Sequence, residues 1–121
     1  MALKCGAPPD NPGEKVVFDS LCRQFDNSWM IASSVRYSSR ENGGVIDREL
    51  DLFLAHPRWG LFFIEVKTGI RQLDPNGQWL YWNNDLGRLE PTNAIDQANR
   101  ARRTLVPVSY THLTLPTIYS V

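Results

Sequence analysis

Cysteine is scarce in this chain: Cys5 and Cys22 are the only two in 121 residues, and no short metal-ligand spacing connects them. That leaves no cysteine framework for a zinc site. A disulfide is possible but nothing demands one, and a reducing, cytoplasmic setting is expected. Long hydrophobic runs are missing too. No segment approaches the roughly eighteen apolar residues of a membrane-spanning helix, and the opening MALKCGAPPDNPGEK lacks the apolar stretch of a secretory signal. Nor does charge of one sign dominate, since thirteen basic residues balance thirteen acidic ones. A protein that simply coats nucleic acid is thereby disfavoured, although a small basic patch needs no high net charge. A nucleotide-binding glycine loop is also absent, because Gly43-Gly44 lack the spacing and helix start that such a loop requires.

What is present suffices for one folded domain. Hydrophobic residues make up 42% of the chain, too many for a disordered segment and enough for one modest core. Residues 1–11 read as a flexible lead-in, after which DNPGEKVVFDSLCRQF carries a helix start. Asn11 can cap, Pro12 suits the first turn, and Glu14 stands where its carboxylate can close a capping box. Glu14, Val17, Phe18, Leu21 and Phe25 follow the three-and-four spacing of one helix face. SWMIASSVRYSS predicts a first strand and RENGG its turn. Further on, Asp74-Pro75-Asn76-Gly77 marks a reversal, followed by a strand through Trp79 to Trp82 and another near Leu89. NAIDQANRARRTLV predicts a second helix, capped by Asn93, with Ile95, Ala98, Ala101, Arg102 and Leu105 near one face.

The most informative stretch is VIDRELDLFLAHPRWGLFFIEVKTG, residues 45–69, which sets Asp47, Glu49, Asp51, Glu65 and Lys67 among large apolar side chains. Strict alternation sends Glu49, Asp51 and Phe53 one way and Leu50, Leu52 and Leu54 the other. Past the turn AHPRWG, Leu61, Phe63, Glu65 and Lys67 share one face, opposite Phe62, Ile64 and Val66. If the two strands form a hairpin, a suitable register sets Asp51 beside Glu65 and Lys67. Two carboxylates of fixed geometry are what Mg²⁺ or Mn²⁺ needs, and the Val66 carbonyl can add a third oxygen. Such an ion offsets the repulsion between Asp51 and Glu65. A lysine on the same face can orient a water or stabilise charge on a phosphate, which together make a phosphodiester-hydrolysing site.

Each residue also has a plainer reading. Glu14 can simply close its capping box. Asp51 and Glu65 can pair across strands with Lys67 or Arg48, a surface arrangement worth only ~0–1 kcal/mol. Asp47 and Glu49 suit a solvated face, Glu49 being the reserve candidate for the site, and Gln97 is ordinary helix surface. Trp59, Trp79 and Trp82 can stack on bases, but packing is the commoner fate of tryptophan. Arg100, Arg102 and Arg103 form a basic run; arginine suits phosphate contacts, and Arg100 and Arg103 are the nucleic-acid candidates, against a solvated helix face.

Residues 107–121, PVSYTHLTLPTIYSV, contain no Asp, Glu, Lys or Arg, an abrupt change from what precedes them. The stretch resembles translated sequencing-adapter read-through, which would end the natural reading frame near Val106 and leave the domain incomplete at its C-terminus. The alternative is a genuine strand with an extended end.

Taken in order, Gly13-Glu14, Glu49-Leu50-Asp51 and Ile64-Glu65-Val66-Lys67 with Gly69 closely resemble the nuclease-related domain family, part of the wider restriction-endonuclease-like, or PD-(D/E)xK, superfamily. The likeness continues through Gly77-Gln78-Trp79 to Asn93 and Gln97-Ala98, covering residues 12–106. Ala94 departs from the family's usual proline, and Thr68 intervenes between Lys67 and the glycine. The resemblance implies an α/β restriction-endonuclease-like core: a helix, a three-stranded antiparallel meander, then a helix. It implies an active site of Glu14, Asp51, Glu65, Lys67 and Gln97, with Mg²⁺ or Mn²⁺ on Asp51, Glu65 and Val66. It implies DNA as the partner and, in longer chains, further helicase, kinase or membrane segments. A module of the same fold that binds nucleic acid or another partner without cutting is the rival expectation.

Overall fold

Asn11 starts the first helix as its sequence suggests. The computed structural model describes residues 1–106 and 114–120, and in it Asn11 Oδ1 accepts a hydrogen bond from the Glu14 amide at 3.1 Å. Helix α1 runs Pro12–Gln24 and buries Val17, Phe18, Leu21 and Cys22. Phe25 lies just past its end, stacked on Trp29 with ring centroids 4.5 Å apart.

The chain then forms β2 (Met30–Glu41), β3 (Gly44–His56) and β4 (Gly60–Lys67), each antiparallel to the next, so the expected meander is present. Asn42 and Gly43, with φ of 50° and 78°, make the β2–β3 turn. Left-handed backbone at both central positions suits the twist of a tight hairpin, and Asn-Gly tolerates it best. Two edges extend the meander. Within the lead-in, β1 (Leu3–Cys5) pairs parallel to β2, and the Ala2 amide donates to the Cys22 carbonyl at 3.0 Å. At the other edge β8 (Thr114–Ser120) pairs parallel to β4. The rest of the 107–121 stretch lies outside the described residues. Among the described residues the main sheet thus has the order β1-β2-β3-β4-β8.

A smaller sheet of β5 (Ile70–Leu73), β6 (Trp79–Asn83) and β7 (Arg88–Pro91) is inserted after β4. Its first turn is the predicted one: Asp74 Oδ1 accepts from the Asn76 and Gln78 amides at 2.9 and 2.8 Å. Helix α2 (Ala94–Leu105) follows and packs on β4, β8 and β2. Two expectations for it need correction. Asn93 does not cap through its side chain, because its backbone (φ −103°, ψ 24°) is not extended as a side-chain cap requires; Thr92 Oγ1 takes the Ala94 amide instead, at 3.3 Å. The buried stripe is Ala94, Ala98 and Ala101, while Ile95 and Leu105 are exposed. Small side chains let the helix lie close to the sheet.

The mixed α/β domain has one core on each face of the main sheet. On the α1 side, Phe18 and Leu21 pack with Ile31, Leu52, Leu54, Ile64 and Val66. On the α2 side, Ala101 and Val106 pack with Leu50, Phe63, Val35 and Phe53. Leu50 therefore does not share a face with Leu52 and Leu54, contrary to strict alternation. The reason lies between them. Ser34 adopts a left-handed backbone (φ 53°), and neither it nor Asp51, which stands opposite, joins the β2–β3 ladder. Register is kept on both sides of this interruption (Ser33↔Leu52, Val35↔Leu50), yet the side chains exchange faces. Asp51 sits at the crossover.

Candidate active site

Position and pairing bring the acidic residues of three elements to one place. The β3–β4 ladder runs from His56↔Gly60 only as far as Leu52↔Ile64, although both strands continue. At the next step the Val66 amide donates to the Asp51 carboxylate, Oδ2, at 2.9 Å instead of to backbone. Asp51 thus ends the ladder with its own side chain. Glu65 follows Phe63 on the α2 side of β4 and is only 4% exposed. Glu14 projects from the first turn of α1 on the other side. Standing at the face exchange, Asp51 couples to both: its charge acts on the Glu14 carboxyl and on the Glu65 carboxyl.

Three carboxyls this close cannot all ionise cheaply. Burial, then the charge of Asp51, push Glu65 up to about 9. Burial and the same neighbour, with Glu49 adding repulsion, push Glu14 up to about 7. Lys67, half-buried at the end of β4, works in the opposite direction on both. The plain capping-box reading of Glu14 is half right: Asn11 bonds the Glu14 amide, but the Glu14 carboxyl meets Asp51.

Topology brings Gln97 to the same end. Because β4 and β8 are parallel, the α2 that connects them runs back across the sheet, so its first turns overlie the carboxyl end of β4. Gln97 is one helical turn before Ala101, which packs with Phe63, and its Oε1 is buried without a hydrogen-bond partner among the described residues. Arg100, in contrast, donates from Nε to Glu41 at 2.9 Å, and Arg48 binds the same carboxylate. Arg103 is exposed. Asp47 accepts from Ser38 at 2.9 Å, a surface role as expected.

Two features near the site had no clear signal in the sequence. Tyr37 lies in the α2-side core within the electrostatic reach of Glu65, Arg100 and Arg48, its hydroxyl pKa raised by burial. The Glu41–Arg48–Arg100 group joins β2, β3 and α2. Only the cross-strand offset of Glu41 and Arg48 could have hinted at it.

A second constellation, Asp26, Ser28 and His56, superficially resembles a nucleophilic triad. His56 Nδ1 accepts the Arg58 and Trp59 amides at 3.0 and 3.1 Å, so in the neutral ring the proton is on Nε2. That nitrogen donates to Ser28 Oγ at 3.0 Å, and Ser28 in turn donates to Asp26. The protons run from histidine to aspartate, the reverse of what an activated serine requires. The group braces the β3–β4 turn.

Among the described residues no three His, Cys, Asp or Glu side chains form a ready-made metal centre. The donor chemistry nevertheless suits a hard divalent ion, since the cluster offers only carboxyl oxygens and holds protons where a cation would relieve it. Glu65 is buried and Glu14 and Asp51 are half-buried, beside Lys67 at the carboxyl end of a strand in a mixed α/β domain. The nuclease-related domain model matches residues 9–120, and the chain belongs to that family. No curated protein and no solved structure matched the chain.

Proposed function

We propose that this domain hydrolyses phosphodiester bonds of DNA with a divalent ion, Mg²⁺ or Mn²⁺, at a restriction-endonuclease-like site. The observation that carries the reading is the convergence of Glu14, Asp51 and Glu65 from three elements on one place beside Lys67. Asp51 and Glu65, with the Val66 carbonyl, would hold the ion. Bound there, it would supply Lewis acidity toward a phosphate oxygen and lower the pKa of a water.

The chain's own groups do the rest. Lys67 has three donors with which to orient the attacking water or the phosphate oxygen that gains charge. Gln97 Oε1, a buried acceptor with no partner among the described residues, can hold the Lys67 ammonium in place. Glu14 adds a carboxylate that reaches the site through water. Arg103 is the candidate DNA contact on α2; Arg100 is already engaged by Glu41. Further domains of a longer parent chain would act beside this one.

The test is calorimetric titration of Mn²⁺ into the folded chain and into Asp51→Asn, followed by plasmid cleavage. One saturable site, lost in the variant and accompanied by cleavage, is expected. A saturable site without cleavage would favour a binding module of the same fold. No ion binding by a folded chain would refute the metal-dependent reading.

A further inference from the structure

Glu14, one of the three carboxylates, lines a cleft of about 450 Å³ on the α1 side, walled also by Asp10, Ser33, Ser34, Arg36 and Glu49. Its volume lies within the ~300–1,000 Å³ of typical small-molecule sites. A smaller cavity of about 210 Å³, between the Asn76–Trp79 turn and the start of α2, contains none of the clustered carboxylates.

Three features mark the larger cleft as a place for a ligand strand. Its floor is the face exchange, where Ser34 holds a left-handed backbone and belongs to neither strand pairing. A non-glycine residue in that conformation is strained, and such strain gathers at functional sites. Its edge is held open, because β1 covers β2 only along Met30–Ala32, after which Ser33 Oγ ties the Ala7 carbonyl at 2.8 Å. Its mouth carries an uncommitted cation. Lys15 is bonded to Asp19 at 2.9 Å, Arg88 to Glu90 at 2.5 Å, and Arg48 and Arg100 to Glu41. Among the described residues Arg36 has only Glu49, at 3.9 Å, with its own side chain 87% exposed. A guanidinium so placed can turn to a phosphate at little cost, and it is planar and permanently charged.

We propose that this cleft holds the nucleotide next to the scissile phosphate, with Arg36 contacting the backbone phosphate on that side. The inference rests on the nuclease reading for its substrate, and Arg36 is a positioning residue in it. Its sugar and base lie against Ser33 and Ser34, and the strand leaves the carboxylates past the first turn of α1.

The experiment compares wild type, Arg36→Ala and Arg36→Lys for binding to a short fluorescent DNA duplex. Ca²⁺ replaces Mg²⁺ so that cleavage does not interfere, and salt is varied. Arg58→Ala, at the opposite end of the sheet, is the control. Arg36→Ala should bind roughly three- to tenfold more weakly and lower the slope of log affinity against log salt by about one. Arg36→Lys should restore the slope. In parallel, amide resonances of Ala7, Ser33 and Ser34 should shift when a deoxydinucleotide is titrated into labelled protein. An unchanged slope with unmoved resonances overturns the subsite, even if wild type cuts plasmid with Mn²⁺. Binding that depends on Arg36 in a chain that never cuts keeps the subsite and removes the nuclease reading. Absence of any DNA binding removes both.

Discussion

Two acidic groups in this domain are solved in opposite ways. Glu41 sits between two arginines, one from β3 and one from α2, and those partners hold its carboxyl below the usual range. Glu14, Asp51 and Glu65 have one lysine among three carboxyls, and two of them are pushed up instead. The first group is electrically closed and ties a helix to the sheet. The second is short of positive charge, and its Glu65 is more deeply buried than any member of the first, which a scaffold gains nothing from. The difference separates a brace from a site.

The comparison can be broken most severely at Lys67. If the second group is a site, Lys67→Ala should lower cleavage by about a hundredfold or more while Mn²⁺ still binds, measured by plasmid nicking and calorimetry. Equal cleavage would remove that role. Next in size is the pH response of the metal-free protein. Glu65 and Glu14 bind protons more tightly folded than unfolded, so their contribution is full below about pH 4.5 and is lost as pH rises through about 7 and then about 9. Thermal melts from pH 5 to pH 9 in chelator should therefore show a decline, and Glu65→Gln should flatten its upper part.

Asp51→Asn should have a smaller effect and a telling sign. Without metal at pH 8 it should raise stability slightly, since the charge of Asp51 is one cause of the raised Glu14 and Glu65 carboxyls. A destabilised variant would mean that the Val66 amide needs the charge. The smallest contrast is on α2, measured by melting temperature. Arg100→Ala should lower the melting temperature slightly by opening the Glu41 brace, whereas Arg103→Ala should leave stability unchanged and weaken DNA binding only.

Local order was readable wherever the signal was local. The α1 cap at Asn11, the Asn42-Gly43 turn, the reversal at Asp74 and the β2–β3–β4 meander all rest on residues within a few positions of one another. The β1 strand was not readable, because three residues pairing with a distant partner leave no periodicity. The second helix was read with the wrong face: Ile95 and Leu105 looked like core by hydrophobicity, but proximity to the sheet favoured alanine. Alternation failed at one place, between Leu50 and Leu52, where a single left-handed serine on the neighbouring strand coincides with the exchange of faces.

That exchange marks the division between what the chain order alone determined and what folding decided. Residue order determined which groups could do chemistry: carboxylates at Glu14, Asp51 and Glu65, an ammonium at Lys67, an amide at Gln97. It also determined the hairpins, because turn residues and period-two patterns act over short distances. Only the tertiary structure decided that Asp51 would meet carboxyls from both faces of the sheet, that Arg100 would be taken by Glu41, and that Arg36 would stand at the mouth of a cleft. Those outcomes depend on pairings between residues far apart in the chain, and burial converts such meetings into shifted protonation and unmet charge.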